Sequence, residues 1–323
     1  MDRPSALAGL RAAVAGFAAT WLADTRSWCV ALSGGPDSLA LLAAAAATLP
    51  TTALIVDHGL QSGSDVVART ARRQALMLGC VAAQVLPVQV GSVGGPEAAA
   101  RSARYSALDV ARNGAPVLLG HTLDDQAETV LLGLGRGSGP RSIAGMRPAD
   151  PPWYRPLLGV RRAVTHAACA ELGVNPWDDP HNHDRRFTRV RLRDEVLPLL
   201  ADVLGGGVAE ALARTATALR EDTDALDAMA GEVLVSAESA GALAITGIAG
   251  LPPALRRRVI RAWLLGGGAT DLTDGQLRGV DTLVTAWRGQ GGVAVGCSQP
   301  GIRLFAERRG ANLVLRFEPV RLS

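Results

Sequence analysis

Ser33-Gly34-Gly35-Pro36-Asp37-Ser38 follows a short apolar run, Trp28-Cys29-Val30-Ala31-Leu32, and leads into a segment at 39–49 dense in Ala and Leu. That order reads as strand, glycine turn, helix. Gly34 and Gly35 let the backbone turn tightly and approach a ligand. Pro36 suits the first helical turn, where a missing N–H costs nothing. The free N–H groups of a helix start, together with its dipole, make an anion site ready for phosphate. Ser33 and Ser38 add hydroxyls, and Asp37 adds a carboxylate able to hold magnesium against phosphate oxygens. A Walker loop would need a Lys after its second Gly, and all 33 basic residues of this chain are Arg. The bland alternative is a turn with glycines for geometry only. Ser on both sides and Asp inside weigh against it.

A second group follows Gly120: His121-Thr122-Leu123-Asp124-Asp125-Gln126-Ala127-Glu128-Thr129. Thr122 with Asp125 fits the positions of a capping box, and acids in a first turn are favoured by the dipole, so Asp125 has a purely structural reading. Asp124 and Glu128 stand four apart on one helix face, where like charges repel. A metal ion or a substrate ammonium would relieve them. His121 either contacts a substrate or closes the strand end.

The third group is cationic. Arg185, Arg186, Arg189, Arg191 and Arg193 fall within nine residues, interrupted by Phe187. Guanidinium groups this close call for an anion, and a phosphate backbone is a natural partner. The alternative is a solvated face balanced by Asp184, Asp194 and Glu195. Arg256, Arg257, Arg258 and Arg261 form a similar cluster later in the chain. Aromatics are only 4% of residues, which argues against an extended base-stacking platform. Recognition of a folded RNA by shape and backbone, with one base flipped out, fits better.

The elements that must position these groups follow from composition and pattern. At 323 residues and 48% hydrophobic content the chain holds real cores and about two domains. Its four cysteines are far apart, with no C-x-x-C pair, which excludes a zinc knuckle or disulfide framework and fits a reducing compartment. No apolar run approaches the roughly 20 residues that span a bilayer, so no membrane partner is expected. The Ala-rich N-terminus reads as an amphipathic helix bracing a sheet rather than a signal peptide, and the chain as cytoplasmic. Strands at 28–32, 51–56, 81–90 and 116–120 alternate with helices at 36–49, 62–79, 96–112 and 123–134, so the fold class is α/β with a doubly wound parallel sheet. The loops after Leu32, Val56 and Gly120 then face one crevice beyond the strands' carboxyl ends. Further on, 133–145 is a Gly-rich polar loop carrying Arg136 and Arg141, 148–156 a proline-rich turn, 161–172 a helix and 188–200 another. The triple glycine Gly205-Gly206-Gly207 marks a boundary. The expected organisation is a catalytic domain at 1–203, a connecting helix at 204–230 and a smaller α+β domain at 231–323.

SGGPDS resembles the pyrophosphate-binding loop of the ATP pyrophosphatases, the adenine nucleotide hydrolase-like PP-loop proteins. In this order, SGGPDS, VDHGL, ARSARY, GHTLDDQAETVLLGLGRGSG and RPLL resemble the tRNA(Ile)-lysidine synthases. The likeness is strong over residues 29–193 and weaker from 251 onward. It implies ATP-dependent ligation of free L-lysine to C2 of the wobble cytidine in the CAU anticodon of an isoleucine tRNA. The cytidine is first adenylated, and AMP and pyrophosphate are released. It implies ATP and Mg2+, with Ser33, Gly34, Gly35, Pro36, Asp37, Ser38, His58, Arg101 and Arg136 on ATP. Asp37, with Asp124 as a second candidate, would hold the metal. Asp37, Asp124, Asp125, Glu128, Arg104 and His121 would act in catalysis, the acids on metal or lysine ammonium. Arg185, Arg186, Arg189, Arg191 and Arg193 would meet RNA, and a small C-terminal domain would bind the tRNA substrate. Oligomeric state is left open, a homodimer included. The chain departs from relatives at Gln61, where Arg is commoner, at His181 in place of Ser, and at Val190 in place of Asn. Larger members carry a further C-terminal domain, so acceptor-stem contacts are expected to be reduced or differently made. Three rivals share parts of the pattern. A tRNA thiolase would want paired cysteines, an amide-forming ligase would not need two arginine clusters, and a non-catalytic nucleotide-binding module would not need the acids.

Overall fold

A computed structural model describes residues 5–59, 63–91, 95–137 and 139–320. The chain forms two compact units, Met1–Gly137 with Ser142–Ala216, and Ser138–Arg141 with Thr217–Ser323.

The first unit runs α1 (Ala6–Trp21), β1 (Trp28–Ala31), α2 (Pro36–Ala46), β2 (Thr51–Asp57), α3 (Ser64–Met77), β3 (Ala82–Pro87), α4 (Pro96–Ala111), β4 (Val117–Leu118) and α5 (Leu123–Gly135). After a single turn, α6 (Pro140–Ile143), come β5 (Ala149–Asp150), β6 (Trp153–Tyr154) and α7 (Arg162–Glu171). The sheet order is β3-β2-β1-β4-β6-β5. Every neighbouring pair is parallel except β5 with β6. Strand β1 sits at the middle, and its alternation shows why it can. Trp28 and Val30 enter one core with Leu10 of α1, Leu39 of α2, Ala71 of α3 and Ala168 of α7. Cys29 enters the opposite core with Leu108 and Tyr105 of α4. Both faces are buried under helices, as a parallel sheet requires. Helix α1 does brace the sheet: Leu10 and Val14 are buried, and Glu171 accepts from Ser5 Oγ and the Ala6 and Leu7 N–H groups at its start.

One expectation changes and another is refined. The proline-rich turn at 148–156 contains a hairpin, β5 and β6, and β6 extends the sheet beside β4. The helix expected over 188–200 forms and runs on to 204, as α8 (Thr188–Arg191), one wider helical turn over Leu192–Val196 and α9 (Leu197–Leu204) in unbroken succession. Pro198 cannot donate to the carbonyl four residues back, and the Leu197 N–H instead reaches Leu192, five back.

The connecting helix, α10 (Val208–Ala237), outruns the expected 230, and the division between units falls inside it rather than at the glycines. The second unit adds β7 (Glu238–Ser239), β8 (Ala242–Ala244), α11 (Pro253–Gly266), β9 (Ala269–Thr270), α12 (Asp274–Thr285), β10 (Val293–Cys297), β11 (Ile302–Arg309) and β12 (Asn312–Pro319). Its antiparallel sheet, ordered β7-β8-β12-β11-β10-β9, shares a core with α11 and α12 built on Trp263, Ile260, Val280, Leu304 and Leu313. Arg256 is buried there and paired through Nε with Asp281 at 2.6 Å. It is therefore a core residue, not a surface cation of the 256–261 cluster. Among the described residues no single helix is long and apolar enough to cross a membrane.

Candidate active site

A crevice of about 1440 Å³ opens beyond the carboxyl ends of β1, β2 and β4. The three loops expected to meet there do so: Ser33, Gly35, Pro36, Asp37 and Ser38 from the first, His58 from the second, Gly120, His121 and Asp125 from the third.

The phosphate-type loop is held by its own hydroxyls. Ser33 Oγ and Ser38 Oγ lie 3.1 Å apart, the Ser33 N–H donates to Ser38 Oγ, and Ser38 Oγ donates to the Gly35 carbonyl. Gly34 has φ +86°, a conformation L side chains rarely adopt, and its carbonyl accepts from the Trp177 N–H. At Gly120 a Cβ would stand 3.1 Å from the Asp37 carbonyl oxygen, so a side chain there would press the end of β4 against the start of α2.

Behind the loop lies a network of four carboxylates and four guanidinium groups. Arg162, at the start of α7, reaches Asp125 Oδ1 at 2.6 Å, Asp37 Oδ2 at 3.4 Å and Glu128 Oε1 at 3.4 Å. Its backbone N–H donates to Asp124 Oδ2 at 2.7 Å, and Arg161 pairs with Asp124 Oδ1. Arg193 reaches Glu128 Oε1 at 2.9 Å, and Arg189 stands 3.6 Å from Oε2. Asp37 Oδ1 also accepts a short hydrogen bond from the Thr165 hydroxyl. Asp125 does cap α5: its Oδ2 accepts from the Thr122 N–H and hydroxyl while Oδ1 faces Arg162. The capping and the electrostatic readings of Asp125 hold together, one oxygen each.

These contacts fix the charges. Burial raises the Asp37 carboxyl above its ordinary range and Asp125 adds to that, against the pull of Thr165 and Arg162. Burial also opposes ionisation of Asp125, but Arg162 and the Thr122 donors outweigh it and hold that carboxyl low. Arg162 is desolvated yet more firmly charged than usual, because Asp125, Glu128, Asp37 and Asp124 surround it. Burial drives His121 down to about 4 despite Asp125, with Arg155, Arg104 and Arg101 contributing, so the imidazole is neutral near pH 7. His58 is lowered by burial and Arg104. The Nδ1 atoms of both histidines are buried without a hydrogen-bond partner. Arg101 and Arg104 lie against the Tyr105 ring, and both line the crevice.

Several sequence-derived placements are corrected. The repulsion between Asp124 and Glu128 is not left to a metal ion or a substrate ammonium, and neither residue lines the crevice. Glu128 is 0% exposed, and the cations that relieve the pair are Arg161, Arg162, Arg189 and Arg193 of the chain itself. Arg136 caps the far end of α5, about 20 Å from its start, and does not line the crevice. In the basic segment, Arg185 and Arg191 pair with Glu195, and Arg186 with Asp184, as the solvated-face reading has it. Arg193 alone of the five lines the crevice. Of the departures, Val190 is a buried core residue and His181 packs edge-on against Phe187; Gln61 lies outside the described residues. Arg162 and Thr165 had not been singled out. Arg161-Arg162 at a helix start, against the dipole, is the signal that carboxylates must approach from elsewhere.

The crevice and its loop define the class. Residues 10–200 match the PP-loop domain family, whose members use ATP, and residues 243–308 match the TilS substrate binding domain. A solved U34-tRNA thiolase from Methanococcus maripaludis shares the fold, with TM-score 0.51 and 16% identity over 67% of this chain and 80% of that one. Over 324 residues the chain is 71% identical to the tRNA(Ile)-lysidine synthase of Mycobacterium tuberculosis, covering 99% of this chain and 100% of that one. It is 70% identical over 321 residues to that of Mycolicibacterium paratuberculosis, with the same coverage. The chain belongs to the tRNA(Ile)-lysidine synthase family.

Proposed function

We propose that the chain ligates L-lysine to C2 of the wobble cytidine in the CAU anticodon of an isoleucine tRNA, at the expense of ATP, in the cytoplasm. The observation that carries this reading is the self-bonded loop 33–38, which includes Asp37, facing two neutral imidazoles and Arg104 across one crevice. The cytidine O2 would attack the α-phosphorus and release pyrophosphate. The lysine amine would then attack C2, losing a proton as AMP departs with the oxygen.

The residues divide these tasks. The Gly34–Gly35 backbone with Ser33 and Ser38 receives the pyrophosphate, and Arg101 and Arg104 offset its charge. His121 and His58, uncharged and each with an unmet Nδ1, hydrogen-bond to base or ribose without adding charge. Mg2+ takes one or two carboxylates and completes its shell with phosphates and water. Asp37 would hold it, and the ion would neutralise charge on the phosphates. Asp125 keeps its negative charge at the crevice wall, which Asp124 and Glu128 do not line, and so suits an ammonium better than they do. The second unit would hold tRNA through its remaining arginines. Sedimentation reads the oligomeric state, a homodimer being the assembly to test for.

Product analysis tests the class of chemistry. AMP and pyrophosphate should appear from ATP only when tRNA is present. ADP with free phosphate would reject the reading.

A further inference from the structure

The Glu128 carboxylate has no access to water, so its charge must be met by guanidinium groups. Three supply it, from two places. Arg162 comes from the phosphate-loop side and also holds Asp37 and Asp125; Arg189 and Arg193 come from the basic segment. An unbroken line of charge pairs thus runs Asp37, Arg162, Glu128, Arg193.

We propose that Arg162 is a positioning residue that couples nucleotide binding at Asp37 to RNA binding at Arg189 and Arg193. The inference rests on the function proposed above. The Arg162 backbone is pinned by the bond from its N–H to Asp124 and its Nη2 by Asp125 at 2.6 Å, so the guanidinium moves by turning between Asp37 and Glu128. When RNA phosphates draw Arg189 and Arg193 outward, Glu128 loses two of its three partners and must be met by Arg162. The guanidinium, whose Nε stands 3.4 Å from Asp37 and whose Nη1 stands 3.4 Å from Glu128, then shifts toward Glu128 and away from Asp37. Asp37 is left open to the metal-bound nucleotide. In the reverse direction, a cation brought to Asp37 repels Arg162 toward Glu128 and loosens Arg189 and Arg193 for phosphate. The two ligands therefore favour each other, and by linkage each does so by the same factor.

The coupling is read from affinities, without turnover. An ATP analogue with a methylene bridge between the α- and β-phosphates is titrated with magnesium, with and without a saturating isoleucine tRNA transcript bearing CAU. In the unaltered chain the transcript should tighten nucleotide binding by a factor within the usual range of about 5 to 150. Arg162→Lys places one compact ammonium where a fork met three carboxylates, and should cut that factor to roughly twofold or less. Glu128→Gln keeps the size of the side chain but removes the charge that needs neutralising, and should do the same; it carries the test if Arg162→Lys fails to fold. A purely structural Arg162 would lower thermal stability or shift both affinities, leaving their ratio intact. Unchanged coupling in a folded variant, or none in the unaltered chain, overturns the inference. If tRNA also fails to elicit pyrophosphate from ATP, the functional reading itself has failed. If pyrophosphate appears and coupling survives the substitution, only the role of Arg162 is lost.

Discussion

Asp37 is held against its own preference. Its carboxyl is raised above the ordinary range, so at neutral pH its ionised form opposes folding, the unfolded chain ionising more readily. Asp37→Asn should therefore abolish turnover while leaving thermal stability unchanged or higher; a marked drop in melting temperature would show that Asp37 is a structural group. His121 gives the opposite signature in acid. Its imidazole stays neutral down to about 4, whereas an unfolded histidine protonates near 6.5. The unfolded chain takes up the proton first, so stability should fall as pH drops from about 6.5 toward 4. Denaturant titrations at pH 7 and 5 should show a smaller loss for His121→Asn than for the unaltered chain, and equal losses would remove this account of His121. Most crevice residues at this scale were legible in sequence, because Ser33 to Ser38 and His121 to Asp125 are contiguous. Arg162 was not: its partners Asp37 and Glu128 lie 125 and 34 residues away, and only folding brings them together.

At the scale of elements, α11 and α12 are joined by the Arg256–Asp281 pair, whose side chains are 8% and 12% exposed. Removing one charge strands the other in a core. Asp281→Ala should cost about 3–5 kcal/mol, read by denaturation of the full chain; a loss near that of a surface pair, about 1 kcal/mol or less, would mean water reaches the site. The segment 185–193 poses a different question, because Arg185 and Arg186 already have carboxylate partners while staying largely exposed, Arg186 at 87%. Exposed pairs of this kind exchange readily for phosphate. Replacing Arg185, Arg186 and Arg189 by Ala should reduce the salt dependence of tRNA binding by roughly one unit of slope for each phosphate no longer neutralised. An unchanged slope would leave the segment a solvated face. Periodicity located nearly every helix and long strand, including the helix from 188 in which Pro198 widens one turn without breaking it, but two prolines concealed the short hairpin of β5 and β6. Outside a longer apolar run such as 116–120, which holds β4, strands of two residues carry too little pattern to be read in advance.

For the whole molecule, the sequence carried the parallel sheet, the crevice at its carboxyl edge and the existence of a second domain, because alternating apolar runs and glycine turns encode them locally. It did not carry the internal neutralisation of Asp124 and Glu128. Counting acids along one helix face revealed a repulsion, but the cations that answer it come from α7 and from the segment after Phe187. Nor did it place Arg136, whose motif lies beside the acids in sequence and a helix length from them in space. The central claim is that all these parts serve one ligation. It is tested most directly by supplying the full chain with ATP, magnesium, labelled L-lysine and an isoleucine tRNA transcript bearing CAU, then digesting the RNA to nucleosides. The account predicts label on the wobble cytidine alone, with one AMP formed for each lysine joined. Pyrophosphate release with no lysine on the RNA, or equal labelling of a transcript with another anticodon, would contradict it.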